Sequence, residues 1–232
     1  MPVRTASQYI ESLKDDRSIY IEGERIKDVT KDNRFVGAAE TMAELLQMQH
    51  EKDLKEVLTY NSPTSGESVG MSHIQPKSKE DIKARGDAMK VWMDVTCGML
   101  GRSPDYKNVM VSAWAAAAKS FERETFDGSA NIKNYYEYVR ENDLMMTHVL
   151  VNPQVDRSRP AHLQESEIVA QIVKETDAGI IVRGARMVAT LCALANEIIV
   201  MPAAVTWQTN EEHKTTNYAF GFAIPTSTPG LK

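Results

Sequence analysis

The spacing of apolar positions changes character near residue 150. Upstream it is mostly helical. Residues 6–13 form a short amphipathic segment with Tyr9, Ile10 and Leu13 on one face. Ile19 and Ile21 then alternate with polar neighbours and Glu22-Gly23 supplies a turn, which predicts a hairpin over 18–26. Helical spacing returns over 35–49 through Met42, Leu45 and Leu46, and 61–70 reads as a loop rich in Ser, Gly and Pro. Ser78 caps the clearest helix, with Asp81 at the capping-box position; Ile82, Met89, Trp92, Met93 and Met99 carry it to about Leu100, where Gly101 ends it. Ser103-Pro104-Asp105 starts the next helix at once, with Ser103 as the cap, and its Ala-rich body runs over 109–121. A further helix is predicted over 132–149, with Tyr135, Tyr138, Val139 and Leu144 on one face.

Beyond Asn152-Pro153 the pattern is that of strands. Residues 169–175 and 180–183 flank a three-residue turn, Asp177-Ala178-Gly179, and 198–201 and 218–224 are two more strand candidates. Helices followed by strands indicate an α+β fold: a helical domain over 1–150 and an antiparallel β domain over 151–232.

Composition narrows the function. The 232 residues carry 27 basic and 32 acidic side chains, a net charge of −5, well mixed along the chain. A basic stripe for nucleic acid and a polybasic segment for a membrane surface are both missing from the sequence. The longest apolar stretch, 113–118, is far short of the ~20 residues of a membrane-spanning helix, and residues 1–5 show no apolar signal region. Cys97 and Cys192 form neither a metal signature nor a disulfide framework. They read as buried thiols of a protein in a reduced cytoplasm.

Three residues at the ends of predicted helices could carry chemistry. Arg102 presents a rigid fork of donors that suits a phenolate or a flavin oxygen. Tyr106, one turn into the next helix, can point the same way and bond a substrate oxygen. His148, near the C-terminal end of its predicted helix, could share a phenol proton. Taken singly, each has an ordinary reading as well: a helix-terminus salt bridge, a packing aromatic, a structural histidine. The polar run 152–160 includes Gln154, Val155, Asp156 and Arg157, and its arginines suit a diphosphate, although an interdomain loop explains it equally well. In Arg183-Gly184-Ala185-Arg186 the small residues would let a flat ring approach the backbone, and Thr190 could bond a flavin edge.

These residues, in this order, resemble the oxygenase component of the two-component 4-hydroxyphenylacetate 3-monooxygenases. The resemblance runs from Thr5-Ala6-Ser7-Gln8-Tyr9-Ile10 through Glu56-Val57-Leu58-Thr59-Tyr60, Gly101-Arg102-Ser103-Pro104-Asp105-Tyr106, Asn134-Tyr135-Tyr136, Thr147-His148 and Asn152-Pro153-Gln154-Val155, to Ala223-Ile224-Pro225-Thr226-Ser227-Thr228-Pro229-Gly230. It implies an acyl-CoA-dehydrogenase-like fold and a cytoplasmic homotetramer. It implies reduced FAD supplied by a separate flavin reductase, molecular oxygen as co-substrate, and hydroxylation ortho to a phenol hydroxyl, converting 4-hydroxyphenylacetate to 3,4-dihydroxyphenylacetate. By the same resemblance Arg102, Tyr106 and His148 hold the phenol, and His148, Val149, Leu150, Gln154, Val155, Asp156, Arg157 and Thr190 hold the flavin. Members of the family are longer, and this chain is expected to lack their C-terminal helical bundle. The competing expectation is a truncated or split, non-catalytic fragment that serves as an interaction or substrate-binding module. A flavin-dependent dehydratase of the hydroxybutyryl-CoA class would need iron–sulfur ligands that Cys97 and Cys192 do not supply.

Overall fold

The computed structural model describes residues 3–123, 126–153, 155–156, 158–159, 161–164, 168–202 and 215–232. The fold is mixed α+β, with helices first and small sheets throughout. It divides into two compact units, one of Met1–Met146, Ala193–Asn196 and Ser227–Lys232, the other of Thr147–Cys192 and Glu197–Thr226.

The first unit holds α1 (Ala6–Ser12), the hairpin β1 (Ile19–Ile21) and β2 (Glu24–Ile26), then α2 (Val36–Gln47) and the one-turn α3 (Lys55–Leu58). Next come a second hairpin, β3 (Thr59–Asn61) and β4 (Ser68–Gly70), the long α4 (Lys79–Val95), α5 (Asp105–Ala116), the two-residue strands β5 (Glu122–Arg123) and β6 (Phe126–Asp127), and α6 (Gly128–Glu141). Thr5 and Ser78 cap α1 and α4 through capping boxes. Tyr9, Leu13, Leu45, Leu46, Leu58, Val111 and Val139 form the core, each contributing about 1.5–3 kcal/mol for a large aliphatic side chain withdrawn from water. Two large buried side chains are tied to backbone: Tyr9 Oη donates to the Leu194 carbonyl at 2.8 Å and Trp92 Nε1 to that of Leu45 at 3.0 Å.

Several boundaries differ from the sequence expectation. The 61–70 segment is not all loop, because its ends pair as β3 and β4. α4 stops at Val95 rather than Leu100: Cys97 and Gly98 both take positive φ (52° and 68°), and Gly98 N donates to the Met93 carbonyl at 2.8 Å. Cys97 is therefore an exposed turn residue, not a buried thiol, and Cys192 is half-buried. Ser103 does not cap α5, whose first turn has no side-chain cap; its hydroxyl bonds the Asp105 carboxyl instead. α6 ends at Glu141, because Asp143 adopts φ 47° and turns the chain into a strand.

The second unit is built on a three-stranded sheet in the order β11 (Phe222–Pro225), β10 (Glu197–Val200), β7 (Met146–Val149). β10 pairs antiparallel with β11 but runs parallel to β7, so the expected purely antiparallel domain is mixed, and all four β10 residues are buried, which requires cover on both faces of the strand. The hairpin β8 (Gln171–Thr176) and β9 (Gly179–Arg183) stands on a two-residue turn, since Thr176 pairs with Gly179, and it exposes Val173, Ile180 and Ile181. Among the described residues no helix is long and apolar enough to cross a membrane.

Candidate functional site

The link between α4 and α5 delivers the first group of residues. Its last step, Pro104, already has helical angles (φ −54°, ψ −33°), so Arg102 precedes the helix and Tyr106 sits in its first turn. The Arg102 guanidinium lies 4.3 Å from the centroid of the Tyr106 ring, a cation–π contact that fixes both side chains. Nη1 donates to the Gly101 carbonyl at 2.7 Å, while Nε is buried without a partner. Among the described residues Arg102 takes part in no ion pair, so a helix-terminus salt bridge does not account for it. An oriented fork with an unsatisfied donor is suited to an oxyanion. Burial pushes the neighbouring Asp105 carboxyl above its usual range, and its Oδ1 also lacks a partner.

The second group lies in the second unit. His148 is on β7, not near a helix C-terminus; β-branched Thr147 and Val149 suit a strand, and Asp143 has already ended the helix. Within β7 Thr147 and Val149 are buried and His148 is half-exposed, as strand alternation dictates. The Thr147 hydroxyl donates to the Thr190 carbonyl, and Met187 N donates to the Val151 carbonyl at 2.7 Å. Residues 147–151 and 187–190 are thus tied together at both ends, through Thr147 to Thr190 and Val151 to Met187. The exposed Thr190 stands between Val188 and Leu191, whose φ values are 65° and 67°. Left-handed backbone at a β-branched valine is strained and tends to mark functional segments. Asn152 Oδ1 and Arg186 Nε and Nη1, in the same unit, are buried and unpartnered.

Other expectations fare differently. Gly184 does not leave room for a flat ring: a Cβ there would lie 2.6 Å from the Val169 backbone, so its missing side chain serves the close pairing of Val169 with Ala185. Asp156 engages its own loop, through Ser158 N at 2.9 Å and Arg159 at 3.1 Å, while Val155 is exposed. Gln154 and Arg157 lie outside the described residues. Two residues escaped the sequence reading. Lys107 faces the Tyr106 ring at 4.1 Å, and Thr147 anchors Thr190. A lysine on the inner face of an Ala-rich helix was the available signal for the first.

Comparison with known proteins decides the family. Residues 5–232 match the family described as 4-hydroxyphenylacetate 3-hydroxylase N terminal. The chain belongs to this family. It is 45% identical over 230 residues to the 4-hydroxyphenylacetate 3-monooxygenase oxygenase component of Thermus thermophilus, covering 98% of this chain and 45% of that protein. Among solved structures it superposes with TM-score 0.88 and 45% identity on the oxygenase component of 4-hydroxyphenylacetate 3-monooxygenase complexed with FAD and 4-hydroxyphenylacetate, covering 98% of this chain and 46% of the other. The chain therefore spans the N-terminal half of 4-hydroxyphenylacetate 3-monooxygenase oxygenase components. An archaeal 4-hydroxybutyryl-CoA dehydratase, 22% identical with TM-score 0.80 over 98% of this chain and 44% of that one, shares the fold alone.

Proposed function

We propose that this chain is the phenol-binding half of a reduced-FAD-dependent aromatic hydroxylase, which places one oxygen atom ortho to the hydroxyl of 4-hydroxyphenylacetate. The observation that carries this reading is the Arg102–Tyr106 pair, oriented at 4.3 Å with a buried guanidinium nitrogen unsatisfied. Arg102 and the Tyr106 hydroxyl bind the phenol oxygen, and the positive charge favours its ionised form. His148 accepts or shares the phenol proton, which makes the ring carbon more nucleophilic. The residues of the second unit fit a flavin: the orphaned Asn152 Oδ1 and Arg186 nitrogens, and the strained strip around Thr190, offer polar atoms to a flat heterocycle. His148, Val149, Leu150 and Thr190 would hold it, with Gln154, Val155, Asp156 and Arg157. FAD, reduced by a separate flavin reductase, supplies the activation of molecular oxygen; the protein orients the ring and excludes water. Cytoplasmic location and a tetrameric assembly belong to the same reading.

The chain covers 45% of its Thermus relative, and a second reading is a substrate-binding module. Anaerobic titration with photoreduced FAD, followed by flavin fluorescence with and without 4-hydroxyphenylacetate, separates the two. Weak flavin binding and little turnover are expected of the 232-residue chain alone, with 3,4-dihydroxyphenylacetate appearing when the C-terminal half of the Thermus relative and a reductase are added. Full activity without the added half overturns the first expectation. No hydroxylated product in either case removes the hydroxylase reading.

His148→Ala tests the division of labour. Losing a hydrogen bond to a charged partner, about 1.5–3 kcal/mol, should weaken phenol binding about 10- to 100-fold, more than it weakens flavin binding. Equilibrium dialysis of the phenol beside the flavin titration measures both, and equal losses would assign His148 a structural role.

A further inference from the structure

Lys107 has no part in the site as described so far. It follows Tyr106 in the first turn of α5 and is only 6% exposed. Lysine is seldom buried without a counter-charge. Here no ion pair reaches Lys107 among the described residues, and the hydrogen bond of its ammonium goes to Met110 Sδ at 3.5 Å, a weak acceptor. Its Nζ lies 4.1 Å from the Tyr106 ring centroid, the ring that Arg102 also approaches at 4.3 Å. Two cations thus converge on one phenol ring.

Such an arrangement is costly when empty. Cation–π attraction offsets only part of the desolvation of a lone ammonium. Burial and then the Arg102 charge push Lys107 down to about 8. Asp105 is a poor counter-ion, because burial favours its protonated form and Ser103 holds its carboxyl. A ligand that brings a negative charge to Arg102 and Tyr106 relieves all of this together.

We propose that Lys107 is a second positioning cation of the phenol site, and that its charge keeps a phenol bound beside Arg102 and Tyr106 in the phenolate form. This rests on the reading of Arg102 and Tyr106 as phenol-holding residues. It restricts the ligand class to phenols with a free hydroxyl, and it disfavours their O-methyl ethers.

The probe is 4-nitrophenol, whose phenolate is yellow and whose neutral form is nearly colourless. It is added to the 232-residue chain in a buffer below the dye's own pKa, beside Arg102→Ala, Lys107→Met and Lys107→Arg. The wild-type chain should bind the dye yellow. Lys107→Met should bind it with the phenolate-to-phenol ratio lower by at least about tenfold, the effect of one charge within about 12 Å at an effective dielectric constant of ~20. Lys107→Arg should restore the colour, and Arg102→Ala should lose the dye. If Lys107→Met binds the dye as yellow as wild type while Arg102→Ala does not bind it, the Lys107 proposal falls and the phenol site stands. If wild type binds no dye, both fall. Near-ultraviolet circular dichroism checks folding: exchanging a buried lone charge for an apolar group of similar volume should be tolerated, and a Lys107→Met chain that fails to fold makes Lys107 structural and overturns the proposal.

Discussion

Asp143→Ala is expected to cost the first unit about 3–5 kcal/mol, the range seen when one member of a buried polar network is removed. Asp143 Oδ2 accepts from Arg4 N at 3.0 Å and from Gln49 Nε2 at 2.9 Å, so alanine orphans the buried Arg4 N–H and leaves Gln49 Nε2 with only its 3.4 Å bond to the Leu46 carbonyl. Arg4 is itself anchored through Nη2 to Asn196 Oδ1 at 3.0 Å, and Asn196 Oδ1 also accepts from Met145 N at 3.1 Å. The loss should therefore spread along the seam that joins the chain start, the end of α6 and the 193–196 segment. Urea unfolding measures it; a midpoint within error of wild type would show that the network is replaceable by water. Asp143→Asn keeps an acceptor and should lose much less. Its pH dependence has a defined sign. Burial pushes the Asp143 carboxyl above its usual range, outweighing the Arg4 charge. The folded state thus holds that proton more tightly than the unfolded one. The associated stability is complete below the unfolded carboxylate value and is lost as pH rises through the folded one. Asparagine does not titrate, so the variant should gain on wild type as pH rises through that window. A constant difference would mean that Asp143 ionises normally.

The same residue shows where sequence reasoning stopped. The start of α4 was legible because its signal is local: Ser78 Oγ accepts from Asp81 N at 3.1 Å and Asp81 Oδ2 from Ser78 N at 3.0 Å, both within four residues. The end of α6 was not, because the left-handed residue there is Asp143, held by Arg4 and Gln49, and no glycine announces it. His148 was misassigned to a helix for that reason. The β3–β4 hairpin was hidden by turn-forming residues between two three-residue strands, too short for alternation to show. Arg102 and Tyr106 were legible as a pair, since both lie at the helix start that Ser103-Pro104-Asp105 announces. Lys107 was not, because its importance lies in burial without a counter-charge, a property of packing. The glycine of the 183–190 run was visible, but whether it made room for a ligand or for the chain itself depended on Val169, a strand away.

Arg102→Lys should lower both phenol affinity and hydroxylation about 10- to 100-fold, equivalent to about 1.5–3 kcal/mol for a hydrogen bond to a charged group, although the formal charge is unchanged. The guanidinium does three things at once: it donates through Nη1 to the Gly101 carbonyl at 2.7 Å, lies over the Tyr106 ring at 4.3 Å, and leaves Nε buried and available. A lysine ammonium is a compact point charge and cannot satisfy the carbonyl, cover the ring and reach a phenol oxygen from one position. The residues proposed to hold the flavin are in the other unit, so flavin affinity should stay within about twofold, the scatter of ordinary remote substitutions. With the phenol poorly oriented, oxygen would still be reduced but less of it would reach the ring. The ratio of hydroxylated product to oxygen consumed, measured in the reconstituted enzyme, should therefore fall along with the rate. A variant with normal coupling and merely weaker binding would mean that Arg102 contributes charge alone. Unchanged binding and coupling together would take the phenol oxygen away from Arg102 altogether and leave Tyr106 with Lys107 as the pair to test next.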